Sequence, residues 1–275
     1  GYDVTTGQDG IYIGYNAGSS VTTAVGNVAI GSNALATETT ATQNVAIGYE
    51  ALKTQDGGTA NTAVGYQAGV SITTGDYNTL MGSDAGDAIT TGVSNIAIGH
   101  QSLSRETTGA YNTAIGYQAL NVLNVEGNGH NTAIGYTAGL AMNTGIKNTL
   151  AGALSGIALT TGSGNTAFGY YALGTENTGG HNTAIGYEAL KDLDTGSDSA
   201  STAVGYKAGE NVSTGNHNTL IGALAGDGIT TGGANICIGY GSETSAVGTD
   251  GEIVIGKGAI GLGANQTVIG HNIST

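Results

Sequence analysis

Few side chains in this sequence could do chemistry, and their spacing decides what they could do. Five histidines stand at His100, His130, His181, His217 and His271. His130, His181 and His217 fall at the same place in a repeating phrase, one residue before its first Asn. Two readings apply to them. Three symmetry-related copies of one His could hold a metal on the axis of a trimer, or the position is a polar turn shared with Tyr77, Tyr111 and Lys147. A metal site needs converging ligands with supporting partners, and the spacing supplies none within one chain. Cys237, the single cysteine, excludes an internal disulfide and a multi-cysteine metal centre. It stands in the slot where the repeat usually has Ala, so it reads as a small buried residue. Asp56-Gly57-Gly58 is an isolated echo of calcium-binding rolls, which need a periodic Gly/Asp nonapeptide. No Ser/His/Asp set or carboxylate pair recurs in register. Gly127-Asn128-Gly129 lacks the strand-to-helix context of a phosphate loop. The expectation is a protein with no catalytic residue, no cofactor and no metal.

Two periodic ladders remain. Tyrosines at Tyr49, Tyr66, Tyr117, Tyr136, Tyr170, Tyr187, Tyr206 and Tyr240 could stack on sugar rings or simply pack. Of these, Tyr66, Tyr136 and Tyr206, with Thr73, Thr90 and Thr230 from a recurring Thr-Thr-Gly, form the candidate ligand-facing set. Asn61, Asn78, Asn95, Asn112, Asn131 and Asn148 read as a structural amide ladder.

The element that must position these ladders is the repeat itself. With the Asn of Asn-Thr-Ala-Ile-Gly as slot 1 and the Gly as slot 5, sixteen units run from Gly10 to Gly270. The step is seventeen, as from Asn61 to Asn78, except for two of nineteen (Asn112 to Asn131 and Asn182 to Ser201) and a last one of fourteen (Glu252 to Gln266). Such a unit holds two short strands and two bends, which is one coil of a parallel β-solenoid. The predicted fold is all-β: a β-roll of about sixteen coils over residues 10–270, with a lead-in at 1–9 and a tail at 271–275. Slot 3 is Leu at Leu80, Leu150 and Leu220, once every four coils, so 61–130, 131–200 and 201–270 are three four-coil blocks.

Slots covary. Gly at slot 9 accompanies an apolar slot 12, as in Gly69 with Ile72. Leu at slot 9 of a coil of the common length accompanies a polar slot 12, as in Leu52 with Gln55 and Leu103 with Glu106. One pocket filled from either of two positions explains this, since close packing penalises both voids and overfilling. Slot 3 Leu also accompanies a small slot 6 (Leu80 with Ser83, Leu150 with Ala153, Leu220 with Ala223). The expectation is that the slot 6 Tyr leans over the surface that Leu otherwise occupies. Slots 2 and 4 point opposite to slot 3, and both sets are apolar or Thr, so the strand is expected to be covered on both faces.

Composition narrows function. Glycine is 51 of 275 residues, proline and tryptophan are absent, and 20 acidic against 6 basic residues give a net charge of −14. Scattered bases cannot neutralise a phosphate backbone, so nucleic-acid binding is disfavoured. No run of apolar residues is long enough to span a bilayer, so membrane insertion is not expected. The chain opens at Gly1 close to the first repeat, and is expected to be a piece of something longer or a processed chain.

The run Asn27 to Ala36, Asn-Val-Ala-Ile-Gly-Ser-Asn-Ala-Leu-Ala, resembles the head repeat of trimeric autotransporter adhesins of the YadA type. Asn112 to Ala119 with Thr-Thr-Gly spacers is similar to repeat regions of phage tail fibres. The resemblance implies a left-handed parallel β-roll, three chains in one extracellular fibre on a virion or cell surface, and attachment to a surface glycan or host receptor. The adhesin repeat is commonly shorter than the step of seventeen that dominates here. Ice binding through the Thr ladder and a passive self-assembling filament are the alternative functions.

Overall fold

The computed structural model describes residues 9–270. Among the described residues there are sixteen three-residue strands and no helix, and within each unit the strands pair in parallel in chain order. They begin with β1 (Ile11–Ile13) and end with β16 (Thr267–Ile269). Each strand is slots 2–4 of a coil, and equal slots pair, as in Thr62↔Thr79, Ala63↔Leu80 and Val64↔Met81. The longer step after Asn112 keeps this register at Thr113↔Thr132, because its two extra residues are taken up in the bend. The chain divides after Thr137 into two compact units, each built of coils of this kind.

The slot 5 glycine is explained by the backbone. Gly65 has φ +143°, and a Cβ there would meet the carbonyl oxygen of Gly82, one coil on, at 2.4 Å. Only glycine tolerates both the dihedral and the approach.

Slot 3 points inward and is fully buried at Ala63, Leu80, Ala114 and Leu220. Slots 2 and 4 point outward and are part-exposed or exposed, so one chain covers only one face of its sheet.

Slots 9 and 12 do share space, but with a third position. A Cβ on Gly69 would lie 3.2 Å from Ile72 Cδ1, 3.0 Å from Leu52 Cδ2 and 2.6 Å from Leu80 Cδ1 of the next coil. Gly86 meets Leu80 Cδ2 at 2.8 Å and Ile89 Cδ1 at 2.9 Å. Leu80 thus fills the room left by two glycines in successive coils. Leu220 does the same between Gly209 and Gly226, whose added Cβ atoms would both lie 2.5 Å from its methyls. Slot 3 Leu therefore answers slot 9. This corrects the expectation about tyrosine. Leu80 is in the core, while Tyr66 and its equivalents stand outside, about half exposed, so ring and Leu do not compete for one surface.

The polar side chains at slot 12 are also internal. Glu38, Gln55, Glu106 and Glu176 are fully buried. Glu106 accepts the backbone N–H groups of Thr107 and Gly109 through Oε1 and that of Val125 through Oε2. Burial holds its carboxyl above the ordinary value despite these bonds. Glu176 and Glu38 make the same kind of contact. A buried carboxylate is tolerable when backbone donors replace water. Where Leu fills the pocket from slot 9, slot 12 is released to pin the bend.

Candidate functional site

The amide ladder is held by three kinds of hydrogen bond. Each slot 1 Asn is buried. Asn61 Oδ1 accepts the Asn78 backbone N–H at 2.9 Å and Asn78 Oδ1 accepts that of Asn95 at 3.0 Å. The Asn61, Asn78, Asn95 and Asn148 Nδ2 groups donate to the carbonyls of Gly75, Gly92, Gly109 and Gly162 at 2.7–2.9 Å. Direct amide-to-amide bonds join Asn78 to Asn61, Asn95 to Asn78 and Asn131 to Asn112. The buried Nδ2 atoms of Asn112 and Asn182 have no hydrogen-bond partner. These two residues open the two longer steps, where the extended bend carries the expected carbonyl out of reach. The ladder is structural, as its burial requires.

The Thr set lies at the surface with its hydroxyls engaged. Thr73 Oγ1 donates to the Thr90 carbonyl at 3.2 Å, Thr90 to Thr107 at 3.0 Å and Thr230 to Val247 at 3.4 Å. These hydroxyls tie coil to coil.

The tyrosines are stacked on one another. In the first unit Tyr49 and Tyr66 have centroids 5.4 Å apart and planes 10° apart. His100, Tyr117 and Tyr136 form a second stack, with centroid steps of 5.4 Å. In the second unit Tyr170, Tyr187 and Tyr206 stack at 5.3 and 5.5 Å. Such offset stacking is favourable for aromatic rings. Within a stack each face is covered by the neighbouring ring, so a ligand reaches only edges and end faces. Tyr66, Tyr136 and Tyr206 are end residues. Tyr66 is 51% and Tyr206 51% exposed, against 44% for the interior Tyr117 and Tyr187.

Beside this ladder runs the outward strand face. At slot 4 it exposes Met81 and Ile134 in the first unit and Phe168, Ile185 and Ile221 in the second. Thr dominates slot 2. No sequence signal marks slot 4 as exposed, because its composition matches a buried strand.

The histidines behave as turn residues. His130, His181 and His217 have φ between 50° and 62°. His130 stacks on Tyr111 at 5.1 Å, and His181 pairs with the exposed Asp198 at 3.3 Å. His271 lies outside the described residues. Among the described residues no three His, Cys, Asp or Glu side chains are placed to share a metal ion. Burial pushes the Cys237 thiol up to about 12, which suits a packing role.

A separate cleft of about 310 Å³ in the second unit is lined by Asp227, Gly228, Glu243 and residues 244–247. Glu243 occupies slot 9 there. Burial, with the neighbouring Asp227 carboxylate, raises its carboxyl, and its Oε1 has no partner. No helix of the described residues is long and apolar enough to cross a membrane. No protein-family model, curated protein or solved structure matches the chain.

Proposed function

We propose that this chain is a structural and adhesive fibre segment: it associates with copies of itself, as a homotrimer or a laterally joined filament, and presents its ladders for surface attachment. The observation that carries this is the outward strand face. Isoleucine, valine, methionine and phenylalanine recur at slot 4 on a sheet whose other face is already packed. Soluble monomers rarely expose apolar patches beyond a few hundred Å², and a periodic face is matched by another copy of the same period. An extracellular place on a virion fibre or cell appendage, and a glycan or host receptor as partner, belong to the same reading, supported by the adhesin-like phrase from Asn27 to Ala36. Ice binding has less support, because the Thr73, Thr90 and Thr230 hydroxyls already donate to backbone carbonyls.

Sedimentation of the purified chain tests the association. A trimer or larger assembly is expected at micromolar concentration, and it should survive or tighten at high salt, because screening weakens repulsion between chains of charge −14. Ile185→Glu with Ile221→Glu should convert it to a folded single chain. Wild-type protein that sediments as a stable monomer would overturn the reading.

A further inference from the structure

The aromatic ladder is interrupted at the second coil of each four-coil block, at Ser83, Ala153 and Ala223. These are the coils with Leu at slot 3. Packing does not require the interruption: Leu80 and Leu220 are buried among the slot 9 glycines, whereas slot 6 is on the outside. What the small residue creates is a gap. Chain order across it is set by backbone bonds, with Asp84 N donating to Tyr66 O at 2.9 Å and Gln101 N to Ser83 O at 3.0 Å. Tyr66 closes one side, its far face covered by Tyr49. His100 closes the other, its far face covered by Tyr117. Two coil steps of about 4.8 Å separate the walls by about 10 Å. A ring held between two aromatic faces needs carbon contacts of about 3.5–4.0 Å on each side. The gap is one missing rung of a ladder whose rings stack 5.4 Å apart, so it has room for one ring, and the polar groups at its floor decide which kind.

We propose that the gap over Ser83 is a single-ring carbohydrate subsite that takes a neutral pyranose between Tyr66 and His100. This rests on the attachment reading and names the ligand class for it. Polar groups converge at the floor. The Ser83 hydroxyl donates to Asp84 Oδ2 at 2.9 Å, and the remaining carboxylate lone pairs can accept from sugar hydroxyls. Aromatic walls with a few placed polar groups are the usual make-up of a ligand site. Asp84 and the net charge of −14 turn away phosphorylated or sialylated rings. The gap over Ala223, between Tyr206 and Tyr240 in sequence order, has Ala223 and Leu224 at its floor. It is a weaker version of the same slot, without the carboxylate.

The test fills the gap. Slot 6 carries Tyr in nine coils, so Ser83→Tyr extends a ladder the fold already accepts. The native assembly is titrated with methyl glucopyranoside, methyl galactopyranoside and methyl mannopyranoside, and with p-cresol as a flat control, by saturation-transfer NMR. At least one pyranoside is expected to bind the parent and Ser83→Ala. In Ser83→Tyr/Ala223→Tyr the apparent affinity should fall at least about tenfold, which is roughly 1.4 kcal/mol. Far-ultraviolet circular dichroism and the melting point should be unchanged, and Tyr66→Leu supplies a second loss-of-wall variant if the filled protein misfolds. No pyranoside signal in the parent, a signal that persists after filling, or binding of p-cresol alone would each overturn the proposal. Surface attachment is scored separately by retention on cells. Retention on cells with no pyranoside signal in the parent would leave the adhesive reading standing and the carbohydrate slot refuted.

Discussion

Transplanting the core of one coil into the next is the sharpest perturbation of this fold. Coil 3 fills its interior with Leu52, Gln55 and the following Ala63; coil 4 uses Gly69, Ile72 and the following Leu80. Leu80→Ala alone removes a fully buried side chain and should cost about 2–5 kcal/mol. Ile72→Gln alone loses a similar amount and buries an amide. Gly69→Leu alone drives atoms to within 2.6 Å of Leu80 at a φ of +59°, an overpacking of about 1–3 kcal/mol added to about 1–3 kcal/mol of backbone strain. If these were independent, the triple variant would lose about 6–16 kcal/mol, as much as a whole domain's stability. Space-sharing predicts otherwise. Gly69→Leu/Ile72→Gln/Leu80→Ala should be at least as stable as Leu80→Ala. The leucine at 69 refills the vacated volume, and Leu52 already adopts φ 48° at the same slot. The amide at 72 can reach the Gly75 carbonyl, as Gln55 Nε2 reaches Gly58 at 2.6 Å. A residual loss of about 1–3 kcal/mol remains where Leu80 leaves Gly86 uncovered. The two-site exchange Gly69→Leu/Ile72→Ala should fail, because Leu80 still blocks it. Guanidinium unfolding of the set, followed by circular dichroism, reads the coupling. A triple variant less stable than Leu80→Ala would refute the three-position core.

The amide ladder predicts an asymmetry between equivalent residues. Asn78→Ala breaks bonds to Gly92, Asn61 and Asn95 and should cost about 2–4 kcal/mol, whereas Asn112→Ala removes an already unpartnered Nδ2 and should cost roughly half. Urea unfolding midpoints check this, and equal losses would contradict it. Stability should also fall as pH rises through neutrality. Glu243 is raised from 4.5 to about 8 and Asp87 from 3.8 to about 6, both mainly by burial. The native chain therefore holds more protons than the unfolded one across these windows, so stability present below about pH 4 is lost as each group ionises on the way to pH 8. Glu243→Gln should flatten the upper part of a plot of urea midpoint against pH; a curve parallel to the parent would exclude Glu243 as its source.

The repeat is legible from spacing alone. A glycine at slot 5 of every coil, a near-constant step and a three-residue apolar run leave room only for stacked short strands, and parallel pairing in register follows from equal spacing. The buried Asn ladder is legible for the same reason: one amide at one slot, coil after coil. Three things needed the tertiary structure. Slots 2 and 4 have the composition of a buried strand, and only the packed coil reveals that they face outward, because a sheet's two faces are indistinguishable until something covers one. In sequence Leu80 varies together with Ser83, but its physical partners are Gly69 of the preceding coil and Gly86 of its own. A one-dimensional covariation cannot tell direct contact from shared membership of a coil. Glu106 is in sequence only a polar residue that accompanies Leu103, yet the bend folds its backbone N–H groups around the carboxylate and makes an interior ion tolerable. The spacing of the residues determined which atoms recur; close packing in three dimensions decided which of them touch.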